Sequence, residues 1–127
     1  MRALVTTALV AFSVFTPAAA QTIYPIDRAD ILAGSLAERL IFYIDSAQTS
    51  IHAAAFEIDL TDISNALIRA HKRGVDIRFI TDDEFGTDID DKPGHGQLAA
   101  MKKAGIEVID DGRGGLMHNK FWVFDGE

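Results

Sequence analysis

The chain has 127 residues, a formal net charge of −7 and no cysteine. Apolar residues make up 48% of it, too many for a disordered chain and enough for one modest domain or part of a larger one. The missing cysteines exclude disulfides and thiolate metal sites from this segment. The acidic balance argues against a processive nucleic-acid binder, because a polyanion is repelled at long range.

Arg2 opens the chain, Ala3 to Phe15 is an uncharged apolar run, and Pro17 breaks it before Ala18-Ala19-Ala20. This is the layout of a secretory signal peptide over residues 1–20, with cleavage expected before Gln21 and export to a periplasm or the outside. The run falls short of the ~20 residues that a membrane-spanning helix needs. Residues 21–34 are expected to be a lead-in, and residues 35–127 a folded domain.

Ser35 and Glu38 form a capping-box pattern, and Leu36, Leu40 and Ile44 repeat at helical spacing, so a helix is predicted over 36–47. Ile51 to Ile58 is apolar on both faces apart from His52 and Glu57, as in a strand buried on both sides. Thr61 or Asp62 is predicted to cap a second helix, which Gly74 ends. Val75 to Thr81 reads as a second strand, and Asp82 to Gly96 as an acidic loop. A third helix is expected over 97–103, stopped by Gly105, before a third strand over 106–109. Phe121 to Phe124 is a β-prone run, and Asp125-Gly126 is a turn signal that calls for a return strand. Only Glu127 follows, so the chain is expected to be the amino-terminal part of a longer domain. The alternation of strands and helices predicts an incomplete α/β domain: a mixed, largely parallel sheet flanked by helices.

The segment from Leu116 to Asp125 contains His118, Lys120 and Asp125 in the spacing H-x-K-x4-D. On a strand, His118 and Lys120 would project from one face roughly 7 Å apart. An imidazole can attack phosphorus, and an ammonium can hold a non-bridging phosphate oxygen. Asn119 and Trp122 join Lys120 as candidate substrate-binding residues; Trp122 shares the parity of His118 and fits either the pocket or the core. Asp125 has the opposite parity and reaches the site only if the turn at Gly126 swings it there.

This stretch resembles the signature of the phospholipase D superfamily. The resemblance extends upstream through IDSAQTSIHAAAFEI, ALIRAHKRGVDIRFITDD and AGIEV, covering about Leu36 to Glu127. It implies an α-β-α sandwich and a phosphodiester hydrolase that needs no metal and no cofactor. His118 would form a phosphohistidine intermediate, Lys120 would bind phosphate, and Asp125 would orient or support the site. It also implies a second H-x-K-x4-D motif, from the same polypeptide or from a homodimer partner, whose histidine protonates the leaving oxygen. The substrate would be a phospholipid, which the acidic balance and export favour, or a nucleic acid.

Other residues carry weaker expectations. Asp82, Asp83, Glu84, Asp88, Asp90 and Asp91 cluster, but their spacing does not match a helix–loop–helix calcium loop. Glu57 could orient an imidazole as a supporting carboxylate. His52 reads as a buried structural histidine, His71 as a helix-end cation, and His95 as a turn residue without a partner. The rival from another class is an acidic flavodoxin-like or receiver-like binding domain, which would leave the His118/Lys120 pair unexplained.

Overall fold

The computed structural model describes residues 36–126. The expected signal peptide and lead-in, Ser35 of the expected capping box, and Glu127 lie outside the described residues. Three helices and four strands follow in the order α1 (Leu36–Ser46), β1 (Ser50–Ala54), α2 (Thr61–Lys72), β2 (Asp76–Thr81), α3 (Gln97–Lys103), β3 (Glu107–Asp110) and β4 (Phe121–Phe124).

The sheet has the order β3-β2-β1-β4. β1 runs parallel to β2, with Ile51 opposite Ile77 and Ala53 opposite Phe79, and β2 runs parallel to β3. β4 runs antiparallel to β1, with Ala54 opposite Phe121 and Ile51 opposite Phe124. The sheet is therefore mixed and largely parallel, as the alternating pattern predicts.

One face of the sheet carries the core. Ile51, Ala53, Ile77, Phe79 and Val108 alternate inward and meet Ile44, Ala66, Leu67, Ala70, Leu98 and Met101 from the helices. Burying a large aliphatic or aromatic side chain of this kind contributes about 1.5–3 kcal/mol. Phe79 is fully buried at the centre. On the opposite face Arg78, Glu107, Phe121 and Val123 are exposed, so among the described residues the helices cover one side.

The joints from α2 to β2 and from α3 to β3 are built alike. Gly74, at φ 96°, donates to His71 O while Val75 N donates to Ala70 O. Gly105, at φ 97°, donates to Lys102 O while Ile106 N donates to Met101 O. This crossed pair of bonds is the left-handed glycine cap. It explains why β2 and β3 each begin one residue later than their apolar runs: Val75 and Ile106 use their N–H groups to finish a helix.

Three local expectations need correction. β1 ends at Ala54 rather than Ile58, although Ala55 N still donates to Ile80 O at 3.1 Å. The N-cap of α2 is Leu60, whose apolar side chain cannot cap; Thr61 is already the first helical residue, and its hydroxyl accepts from Gln97 Nε2 at 3.4 Å. The acidic loop holds a single wide π-turn over Asp83–Thr87, closed by Thr87 N to Asp82 O and Asp88 N to Asp83 O.

Asp90 in that loop caps α3 from a distance, its carboxylate accepting from Gly96 N, Leu98 N and Ala99 N at 3.1, 3.0 and 2.7 Å. The π-turn itself depends on Gly86: a Cβ there would sit 2.3 Å from Thr81 Oγ1 and 2.8 Å from its Cγ2. Thr81 is fully buried and hydrogen-bonded to Phe56 O, so it has no room to yield. Gly86→Ala is accordingly expected to destabilise the fold by about 1–3 kcal/mol through overpacking. Urea unfolding checks this; a midpoint within error of wild type would refute it.

Candidate functional site

Because β1 and β2 are parallel, the segments after Ala54 and Thr81 emerge at one edge of the sheet. β4 enters at that edge, since Phe121 pairs with Ala54. His118, Asn119 and Lys120 lie just ahead of Phe121, so the structure gathers them with Phe56, with Asp82 to Thr87, and with Asp111 after β3. The carboxyl edge of parallel strands is where α/β domains commonly place ligands.

The approach to β4 is fixed by a buried acid. Asp82 is 1% exposed, and its Oδ1 accepts from Phe85 N at 2.8 Å. Its Oδ2 accepts from Met117 N at 2.6 Å, and the Met117 side chain is itself buried. The bond from Phe85 N is the main reason the Asp82 carboxyl lies below the ordinary carboxylate range; burial works the other way, and the Met117 and Glu84 amides assist. With Met117 pinned inward, His118 is exposed at the edge, as are Asn119 and Lys120.

His118 and Lys120 do not belong to the strand. They occupy the irregular segment before it, so the expectation of one strand face with regular spacing does not hold. They are related through other contacts. Lys120 Nζ donates to His118 O at 3.1 Å. The Phe56 ring meets the His118 ring with centroids 5.4 Å apart, and Lys120 Nζ lies 5.3 Å from the Phe56 centroid.

The remaining candidates are placed elsewhere. Trp122 turns to the core face, 6.0 Å from Phe79 and 6.3 Å from Phe124 between ring centroids. Its parity relation to His118 lapses because the regular alternation starts only at Phe121, so Trp122 is a packing residue rather than a substrate contact. Glu57 does face an imidazole, but that of His95, at 3.6 Å from Nδ1. His95 thus has a partner, and Glu57 ties the acidic loop to the end of β1. His52 is not buried: its side chain is 43% exposed, 3.8 Å from Asp76 on the open face.

Asp125 lies at the opposite end of the β1–β4 pair from His118. It follows Phe124, which pairs with Ile51, and its backbone is left-handed at φ 55°. Its Oδ1 accepts from Gln48 N, Thr49 N, Thr49 Oγ1 and Ser50 N at 2.9, 2.7, 3.1 and 3.3 Å. Desolvation raises the carboxyl pKa, but these donors, Thr49 N foremost, outweigh it and leave the group below its ordinary value. The turn at Gly126 does not bring Asp125 to His118; the carboxylate organises the entry into β1.

Asp82, Asp83, Glu84 and Asp88 line a cleft of about 340 Å³ with Arg113, Gly114, Gly115 and Leu116. Carboxylate oxygens of Asp82, Asp83 and Asp111 lie within 4.8 Å of one another. Most of them already accept protein hydrogen bonds: both oxygens of Asp82, one of Asp83 from Glu84 N, and one of Asp111 from Arg113 Nε. The cluster works mainly as a backbone organiser beside the histidine.

Comparison with known proteins decides the family. Residues 40–127 match the family model described as cardiolipin synthase, PLD-like domain. This chain belongs to the phospholipase D superfamily. Among its relatives, a mitochondrial cardiolipin hydrolase of Xenopus laevis is 34% identical over 88 residues, covering 69% of this chain and 40% of that protein. That of Danio rerio is 35% identical over 89 residues, covering 69% of this chain and 37% of that protein. Among solved structures, Nuc, a phospholipase D family member from Salmonella typhimurium, has a TM-score of 0.62 and 30% identity. That match covers 73% of this chain and 59% of the Nuc chain. The chain thus spans about two fifths of the length of the hydrolases it matches. Within the superfamily frame the mixed sheet of β1 to β4 is an incomplete phospholipase D fold.

Proposed function

We propose that the protein hydrolyses phosphodiesters through a covalent phosphohistidine, with phospholipid as the favoured substrate. The observation that carries this is the convergence of an exposed imidazole, His118, and an exposed ammonium, Lys120, on one ring at the carboxyl edge of the sheet. An imidazole nitrogen of His118 attacks phosphorus, and the bond from phosphorus to the leaving oxygen breaks. The leaving oxygen takes its proton from the histidine of a second H-x-K-x4-D motif, in the same polypeptide or in a homodimer partner. Water then cleaves the phosphorus–nitrogen bond and restores the imidazole. Lys120 binds a non-bridging oxygen and offsets the charge that builds on it.

The lipid reading is supported by the acidic balance and by relatives named cardiolipin hydrolases. Nucleic acid, also a phosphodiester, is the second reading. We also propose export. Residues 1–20 hold a single cation, Arg2, and a continuous apolar stretch, whereas mitochondrial transit peptides are amphipathic and arginine-rich.

The test is a side-by-side assay of the complete protein on cardiolipin vesicles and single-stranded DNA, with and without EDTA. Lipid turnover unaffected by EDTA is expected, because histidine and lysine supply what metal ions supply in metallophosphodiesterases. Turnover of DNA alone would refute the lipid reading. Activity abolished by chelation and restored by a divalent ion would refute the mechanism and point to Asp82, Asp83 and Asp111.

A further inference from the structure

Phe56 leaves β1 at the carboxyl edge, half-buried, and its ring meets three partners at once. Phe85 stacks on it with centroids 5.2 Å apart and planes 28° from parallel. The His118 ring meets it at 5.4 Å and 63°, and Lys120 Nζ lies 5.3 Å from its centroid. The residue is anchored through its backbone as well: Phe56 O accepts from Thr81 Oγ1 at 3.0 Å and from Asp82 N at 3.4 Å. Since Asp82 also holds Met117, one buried network fixes both the ring and the segment that carries His118.

We propose that Phe56 is a positioning residue, whose ring holds the Lys120 ammonium beside the His118 imidazole so that both meet the phosphate already aligned. The inference rests on the reading of His118 and Lys120 as the phosphodiesterase pair. An exposed lysine loses rotamer freedom when it is ordered, so something must restrain it. The negative face of an aromatic ring attracts an ammonium within about 6 Å. A carboxylate in that place would hold Lys120 more strongly, but would neutralise the charge and repel the substrate phosphate. The ring restrains the ammonium and leaves its charge intact. With one N–H directed to His118 O, the other two remain for phosphate oxygens. The T-shaped contact gives the imidazole a preferred orientation in the same way.

The complete protein carrying mono-, di- and trifluorinated phenylalanine at position 56 tests this, since fluorine drains the ring face while nearly keeping its shape. Stepwise loss of kcat/KM is expected, about three- to tenfold across the series, in line with a cation–ring contact at a partly exposed site. Phe56→Tyr should retain activity. Phe56→Leu should lose about 10²-fold, as expected when reacting groups are misplaced. A merely structural ring would show thermal stability moving with these changes but a flat fluorine series, and that result overturns the proposal. A second readout needs no turnover: the Lys120 side-chain methylene resonances should be shifted upfield by the ring and return to ordinary positions in Phe56→Leu. Unmoved resonances overturn the proposal too. An inactive wild type with ring-shifted Lys120 resonances would strike at the proposed reaction and leave the Phe56 contact standing.

Discussion

Replacing His118 by asparagine is expected to abolish turnover in the complete protein while leaving the fold unchanged. The imidazole is exposed and belongs to no core contact apart from the edge of Phe56, and asparagine is polar and smaller, so packing changes little. It cannot form a phosphorus–nitrogen intermediate. Lys120→Met keeps the aliphatic stem and deletes the charge. Losing one preorganised donor of this kind commonly costs on the order of 10² to 10³ in rate, and losing the nucleophile costs more. An alkaline quench with ³²P-labelled substrate separates the two variants from nonspecific loss. Wild type should carry a base-stable, acid-labile label, Lys120→Met should form it slowly, and His118→Asn should not form it. A folded His118→Asn protein turning over near the wild-type rate would end the proposed mechanism.

Asp125→Ala should have the larger effect on stability and a small effect on chemistry. The substitution strands the amides of Gln48, Thr49 and Ser50, and it leaves alanine in a left-handed backbone at φ 55°. Because the turn is exposed to water, the cost is about 2 kcal/mol rather than the sum of three charged hydrogen bonds. For a complete protein of about 150–250 residues that corresponds to a fall in Tm of roughly 4–8 °C. Asp125→Asn should recover part of it, since asparagine tolerates the left-handed conformation and keeps one acceptor. The carboxyl pKa is lowered in the folded state, so its contribution is full above the unfolded value of 3.8 and disappears as pH falls through the folded value. The stability gap between wild type and Asp125→Ala should therefore be constant near neutrality and narrow on acidification below about pH 4. Below the unfolding temperature, kcat should stay near wild type, because the carboxylate lies at the far end of β1 from His118. A stable Asp125→Ala protein with kcat reduced 10²-fold would instead mean that Asp125 acts on the reaction.

The pair of predictions separates two kinds of residue within one motif. His118 and Lys120 lie at the carboxyl edge of the sheet, and Asp125, seven positions further along the chain, lies at the opposite end of the β1–β4 pair. The motif is contiguous in the chain, yet β4 spreads it across the sheet.

Much of this was legible from the residues alone, because the signals are local. Helical spacing in Leu36, Leu40 and Ile44 and the glycines at 74 and 105 depend on neighbours within a turn or two, and α1, α2 and α3 lie where those patterns put them. The alternation of strands and helices was enough for a largely parallel sheet, and the spacing of His118 and Lys120 was enough to point to the phospholipase D superfamily. What only the tertiary structure decided are contacts between distant positions. Gln48 and Asp125 are 77 residues apart, and Asp82 and Met117 are 35 apart. An isolated aspartate in an acidic loop looks the same whether solvated or buried against a backbone amide 35 residues away. The partner of Glu57, the core orientation of Trp122 and the ring contacts of Phe56 likewise follow from how the strands are ordered and where each one begins. Local sequence sets which backbone conformations are cheap; the burial of one sheet face against three helices sets which side chains then meet.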